Sequence, residues 1–221
     1  MSAALAREGL LYVVPGHGPR PWYDPGATVG DAHEAVLVRQ LAADIEEAAK
    51  AAHLTTKTMG SGYYSARNAA ALAAAEVSPA RRTAVIHLHL NAAGSASARY
   101  AMAMHDKRSK GGGTLAALMA VGMKRIKGAP WGGDVRVMPV YNDRASAGDR
   151  AWLYRAYGCI DEVYAGPANI SACLLECGFL TDPNLRAWWT DENRRELADR
   201  IVAGVVEWTG HGQRTKKRGI T

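Results

Sequence analysis

TAVIHLHL, residues Thr83–Leu90, is the stretch that decides the fold. Apolar and β-branched residues fill it and no glycine or proline interrupts it, so it reads as a buried strand. A near-continuous apolar run is what a strand covered on both faces requires. Two further runs behave alike: Leu10–Val14 (LLYVV) stops at Pro15-Gly16, and Ser171–Glu176 (SACLLE) closes on a carboxylate. Shorter strands are expected at Leu54–Thr58, Arg99–His105 and Val135–Val140, the last weakened by Pro139, with a short extended piece at Asp161–Tyr164. Helical periodicity separates them. Leu37, Leu41, Ile45 and Ala49 recur every four residues within Asp31–Ala52, where Asp31 and Glu34 suit the first turn of a helix. Ser65–Glu76 is alanine-rich and is followed by Ser78-Pro79. Leu115, Leu118, Met119 and Met123 share one side of Thr114–Lys127, and Leu197, Ile201, Val205 and Trp208 one side of Glu192–Trp208. Asp149–Tyr157 also reads as helix, and residues 19–30 as a Pro/Gly-rich loop. Repeated strand–helix alternation predicts an α/β fold: a single domain with a mostly parallel twisted sheet and helices on both faces.

Composition sets the outer bounds. With 221 residues, 48% of them hydrophobic and 22% charged, the chain can bury a core without disulfide or metal staples. Disordered, collagen-like and disulfide-scaffold classes are excluded. No run approaches the ~20 apolar residues of a membrane span. Arg7 and Glu8 interrupt the apolar start, so an export signal is not expected and synthesis in a host cytoplasm is. Cys173 and Cys177 are four apart in a strand-like run, about 13 Å when extended and too far to bridge. With Cys159 they are read as thiols. The net charge of +6 favours a polyanionic partner or surface. Residues 1–209 form the expected domain. Residues 210–221 form a basic tail, with Arg214, Lys216, Lys217 and Arg218 in the last eight positions.

A few residues could carry chemistry. His17 stands between Gly16 and Gly18 directly after the first strand, at the edge of an α/β sheet where ligands bind. A plain turn histidine would look the same. His87 and His89 are two apart on one strand and face one side, a workable metal pair. The plainer alternative is one hydrogen-bonded core imidazole and one bystander. Glu34, beside His33, opens a helix, where simple complementation of the dipole would also place an acid. Glu176 closes an apolar run, and an ionised carboxylate there needs a metal, a cation or a raised pKa. Two histidines, a glutamate and a separate glutamate are the parts of a catalytic zinc site with its general base.

Taken together, these motifs resemble the zinc-dependent N-acetylmuramoyl-L-alanine amidases of the amidase 3 type. The resemblance rests on Pro15-Gly16-His17-Gly18, on Asp24-Pro25-Gly26-Ala27 with Gly30 and Glu34, on Arg67 with Asn68, on His89-Leu90-Asn91-Ala92, and on Glu176-Cys177-Gly178-Phe179-Leu180-Thr181-Asp182-Pro183. It spans residues 10–209. It implies one catalytic zinc ion, with His17, Glu34 and His89 as ligands and Glu176 as acid/base. It selects His89 over His87 because the Asn-Ala pair follows His89. His87, Asn91 and Arg67 become residues beside the metal or against substrate. Val14 stands where the family usually has Asp, Arg20-Pro21-Trp22 alter the loop after His17, and residues 99–170 match loosely.

The implied reaction is hydrolysis of the amide between N-acetylmuramic acid and the L-alanine of peptidoglycan. The setting is a phage endolysin in host lysis, acting on the wall after release, as a monomer, with the tail against an anionic envelope surface. A bacterial lysis or wall-remodelling amidase, a zinc peptidase cutting stem peptides and a non-catalytic wall binder are the neighbouring readings. A nucleic-acid partner is not expected, since the aromatic residues are not interleaved with Lys/Arg clusters.

Overall fold

The structure is a computed structural model that describes residues 9–18, 24–59, 64–77, 81–140, 160, 163, 164 and 166–217. The TAVIHLHL run becomes strand β5 (Arg82–Asn91) of a six-stranded sheet, with a parallel neighbour on each side. The other strands are β1 (Gly9–Pro15), β4 (Thr55–Thr58), β6 (Ala101–Asp106), β7 (Val135–Val140) and β8 (Ile170–Phe179), in the order β4-β1-β5-β8-β6-β7. All neighbours are parallel except β6 and β8, which run antiparallel. The expected α/β domain with a mostly parallel sheet is therefore what the chain forms. The register places His89 opposite Glu176, and Glu176 opposite Met102.

Alternation along the strands divides the core in two. Leu11, Val13, Ile86, Leu88, Cys173 and Leu175 face one side. There they meet helices α1 (Glu34–Ala51) and α3 (Lys110–Lys124), and the last helix α5 (Asp191–Lys217). Tyr12, Val14, Val85, Met102, Met104 and Leu174 face the other, covered by Ala71 and Ala75 of α2 (Tyr64–Val77) with Ile160 and Val163. Cys173 and Cys177 are free and fully buried, and burial pushes both thiols up. Among the described residues no helix is long and apolar enough to cross a membrane.

Several boundaries depart from the periodicity. Helix α1 begins at Glu34 rather than Asp31, because Thr28–Val29 (β2) and Ala32–His33 (β3) close a small antiparallel hairpin first. That hairpin replaces part of the expected loop. Val163 and Tyr164 are helical rather than extended. A short helix α4 (Pro183–Trp188), capped by Asp182, follows β8 and has no counterpart in the periodic pattern. Helix α5 runs on to Lys217 instead of ending at Trp208. No proline interrupts it, and Gly210 and Gly212 each cost only about 1 kcal/mol against alanine. Helix Asp149–Tyr157, Cys159, Asp161, Ser78-Pro79, Arg7, Glu8 and Arg20-Pro21-Trp22 lie outside the described residues.

The triple glycine before Thr114 is helical and opens α3. Ser109 caps it by accepting from Gly112 N at 2.9 Å. A Cβ at Gly112 would stand 2.9 Å from Ser109 Oγ and 3.0 Å from the Ala172 carbonyl oxygen, so these glycines let the helix lie close on β8. Trp208 seals the same end, donating from Nε1 to the Gly111 carbonyl at 3.1 Å with the Arg82 guanidinium over its ring. Gly112→Ala should lift the helix from the sheet and destabilise the protein by about 1–3 kcal/mol, seen as a lower midpoint in thermal unfolding. An unchanged midpoint would show that the contact is slack.

Candidate active site

Gly16, at the carboxyl end of β1, donates to the Leu88 carbonyl at 2.7 Å, which holds the following loop against β5. The next residue, His17, lies at φ 58°, a left-handed conformation that costs a non-glycine residue about 1–3 kcal/mol. That turn aims its ring back over the sheet. Gly18 and Asp24 then exchange backbone hydrogen bonds at 3.1 and 3.2 Å and close the loop.

Glu34 is the meeting point. The residue is 3% exposed, and four groups converge on its two carboxylate oxygens. Oε2 lies 3.2 Å from His17 Nε2 and accepts from Ala27 N at 2.9 Å. Oε1 lies 3.1 Å from His89 Nδ1 and accepts from Leu90 N at 3.0 Å. Ligand atoms of His17, Glu34 and His89 all fall within 4.8 Å of one another. Gly26 (φ 66°) makes room: a Cβ there would sit 2.5 Å from His17 Cδ2 and 2.6 Å from Glu34 Oε2.

Asp24 completes the surroundings of His17. Its Oδ2 stands 2.8 Å from His17 Nδ1, while Oδ1 accepts from Gly26 N at 3.0 Å. A carboxylate on the far nitrogen of a histidine fixes the ring orientation and tautomer and makes the other nitrogen a better donor of electrons. Sequence reasoning gave Asp24 no role, because a loop carboxylate has no periodicity. Its nearness to an Asx turn beside a glycine was the available signal.

Glu176 lies one strand over from His89, on the same face. A β-bulge follows, where β8 spends three residues, Cys177 to Phe179, against two on β5. Glu176 Oε2 is buried and has no hydrogen-bond partner among the described residues. Burial, aided by the negative charge of Glu34, pushes its pKa up to about 8 despite the opposing pull of His17. For His17, burial works downward, but hydrogen bonds and charge from Glu34 and Asp24 outweigh it and raise the imidazole to about 9. Burial also works against the Glu34 carboxylate, yet His17 and His89 hold it well below the usual carboxylate range.

The remaining expected residues stand further back. His87 is fully buried, two residues before His89 on the same strand face. Burial, with the charges of His89 and Arg67, lowers it to about 3, so it is neutral. Arg67, 5% exposed on α2, donates to the Pro15 carbonyl at 2.6 Å and braces the strand end that leads to His17. Asn91 is half-buried at the end of β5, with Oδ1 on Ala92 N at 2.8 Å. His33 precedes α1 and shares a 3.2 Å hydrogen bond with Thr28 Oγ1, outside the cluster.

A family model described as N-acetylmuramoyl-L-alanine amidase matches residues 11–207. The chain belongs to that family. Solved structures agree on the fold. An N-acetylmuramoyl-L-alanine amidase from Clostridium difficile 630 superposes with a TM-score of 0.69 at 18% identity, covering 91% of this chain and 97% of that one. The N-acetylmuramyl-L-alanine amidase Ami1 from Mycobacterium smegmatis gives 0.69 at 16% identity over 93% and 99% of the two chains. The catalytic domain of the CD27L endolysin, which targets Clostridia difficile, gives 0.61 at 13% identity over 90% and 97%. No curated protein sequence matches significantly.

The charged cluster has a consequence for the metal-free protein. His17 binds its proton more tightly folded than unfolded, so its stabilisation is complete below about pH 6.5 and is lost as pH rises through about 9. Glu176, raised from 4.5 to about 8, acts in the same direction. His87, lowered to about 3, favours folding as pH rises toward 6.5 and adds nothing above it. In the presence of chelator the unfolding midpoint should therefore be lower at pH 9 than at pH 6.5. A midpoint that rose over this window would contradict the assignment.

Proposed function

We propose that the protein hydrolyses the amide between N-acetylmuramic acid and L-alanine in peptidoglycan, with one zinc ion held by His17, Glu34 and His89 and with Glu176 as acid/base. The observation that carries the reading is the convergence of those three ligand groups near Glu176, whose buried Oε2 has no partner among the described residues, in a chain of this family. The donor set fits the metal: two imidazoles and one carboxylate are a common catalytic zinc set, and three protein ligands leave a fourth position open. Four contacts that stabilise an isolated Glu34 carboxylate also preorganise it as a ligand. When bound, zinc supplies Lewis acidity at the scissile carbonyl and lowers the pKa of a water.

The chain's own groups do the rest. Asp24 accepts from His17 Nδ1–H, which leaves Nε2, after losing its proton, as the nitrogen that would hold the metal. Glu176, with a pKa near 8, sits close to working pH and can both take and give a proton. It removes the proton from the attacking water and delivers it to the nitrogen of the departing L-alanine.

An endolysin role, with synthesis in a host cytoplasm and action on the wall after release, belongs to the same proposal. So does a basic tail at residues 210–221 that meets the anionic envelope. The endolysin catalytic domain and the bacterial amidases share this fold, so the fold alone is neutral between the two settings.

Glu176→Gln should lower turnover of purified peptidoglycan by about 10²–10⁴-fold while zinc stays bound at one equivalent. Mass analysis of wild-type products should show free L-alanine amino termini and intact muramic acid. Cleavage between amino acids would make it a peptidase instead, and lysis indifferent to chelation would remove the metal from the reading. Deleting residues 210–221 should weaken binding to purified walls and flatten its salt dependence, since each cation near an anionic surface contributes about 1 kcal/mol. Cleavage of soluble fragments should be retained, and unchanged wall binding would discard the tail's role.

A further inference from the structure

The row that contains His89 and Glu176 does not stop there. Glu176 pairs with Met102 on β6, and Met102 pairs with Arg136 on β7, so four strands present His89, Glu176, Met102 and Arg136 in register. All four lie on one face, because directly paired residues project to the same side of a sheet. Neighbouring strands are about 4.8 Å apart, so Arg136 stands roughly 10 Å beyond Glu176, on the side away from His17 and Glu34. Arg136 is half exposed and rigidly set. Its guanidinium lies 3.7 Å from the Tyr100 ring centroid, and Tyr100 packs edge-on to Phe179 at 4.7 Å. Asp134 accepts from Nε at 3.1 Å and from Nη2 at 2.8 Å, so this pair does not use Nη1.

The reaction fixes which part of the substrate lies on this side. Glu176 must reach the departing amine, so the peptide leaves the metal cluster over Glu176 and toward β6 and β7. The glycan then lies on the His17 side. An extended peptide advances about 3.4 Å per residue, which brings the second or third residue of the stem to Arg136. Stem peptides of peptidoglycan carry carboxylates there.

We propose that Arg136, held by Tyr100 and Asp134, binds a stem-peptide carboxylate two to three residues from the cut and makes the enzyme selective for acidic over amidated stems. This rests on the amidase reading above. A guanidinium fixed on an aromatic ring is suited to a planar carboxylate, and loses little freedom on binding it. The Asp134 pair orients the group without blocking its outer edge.

The test uses zinc-loaded protein and muramoyl tripeptides bearing either a carboxylate or its carboxamide at the second residue, and separately at the third. Wild type should favour the carboxylate at one of these positions by about tenfold in kcat/KM, the effect of one charge-assisted hydrogen bond. In Arg136→Gln that ratio should fall to near one, and Arg136→Lys should restore part of it. Arg136 lies on an exposed edge strand, so folding is checked simply by an unchanged unfolding midpoint. A wild-type ratio near one at both positions, or a ratio that survives Arg136→Gln, would overturn the inference while leaving the amidase intact. Failure of wild type to cleave any of the four substrates, with purified peptidoglycan also untouched, would instead remove the amidase reading and this inference with it.

Discussion

A carboxylate buried to 3% exposure at the mouth of a sheet is the constraint on which the rest of the site depends. Left alone, Glu34 would lose several kcal/mol of hydration or give up its charge. The fold meets that demand with two backbone N–H groups from different segments and two imidazoles, one from the loop after β1 and one from β5. Each solution dictates local structure. The Ala27 amide has to return to Glu34, which explains the tight hairpin and the left-handed Gly26. The Leu90 amide meets it where the register between β5 and β8 slips. His17 must turn backward, which explains its strained φ. One helix-opening side chain thus ties β1, the hairpin, α1 and β5 into a single rigid corner.

The same electrostatics divide the labour of the two glutamates. Glu34 and Glu176 lie close enough to influence each other, and like charges that close cannot both ionise cheaply. The two imidazoles stabilise Glu34, so the penalty falls on Glu176, whose buried Oε2 has no hydrogen-bond partner among the described residues. One carboxyl becomes a permanent anion suited to a cation. The other becomes a group that exchanges protons near neutrality.

Much of this was legible from residue order. Runs such as Thr83–Leu90 and the four-residue spacing in α1 report burial directly, because a strand covered on both faces and an amphipathic helix have different periods. His17, Glu34, His89 and Glu176 could be picked out because polar residues stand where the pattern demands apolar ones or where strands end. Other features carry no period. Pairing order is invisible along the chain, so the reversed β6 could not be read. Gly111–Gly113 look like a loop by propensity, and only the nearness of Ser171 and Ala172 explains why they are helical. Helix α4 is too short to repeat. Asp24 acts through one hydrogen bond across a loop closure, and the His87–His89 choice depends on depth below the sheet edge, which spacing alone does not encode.

The reversal of β6 against β8 has an effect on how such an enzyme can vary. Strands β1, β5 and β8 arrive at the site with their carboxyl ends, whereas β6 and β7 depart from it with their amino ends. The edge of the sheet at the site is therefore built from two kinds of segment. The connection after β1, the start of α1 and the end of β5 carry the ligand groups and are locked together by Glu34. Residues 92–100, which lead from β5 into β6, and residues 125–134, which lead into β7, supply no group to the ligand cluster. Apart from the residues that anchor them, Trp131 in the core and Tyr100 and Asp134 beside Arg136, these two connections can change without touching the ligand cluster. A wall hydrolase organised this way can follow changes in its polymer by altering one half of its rim.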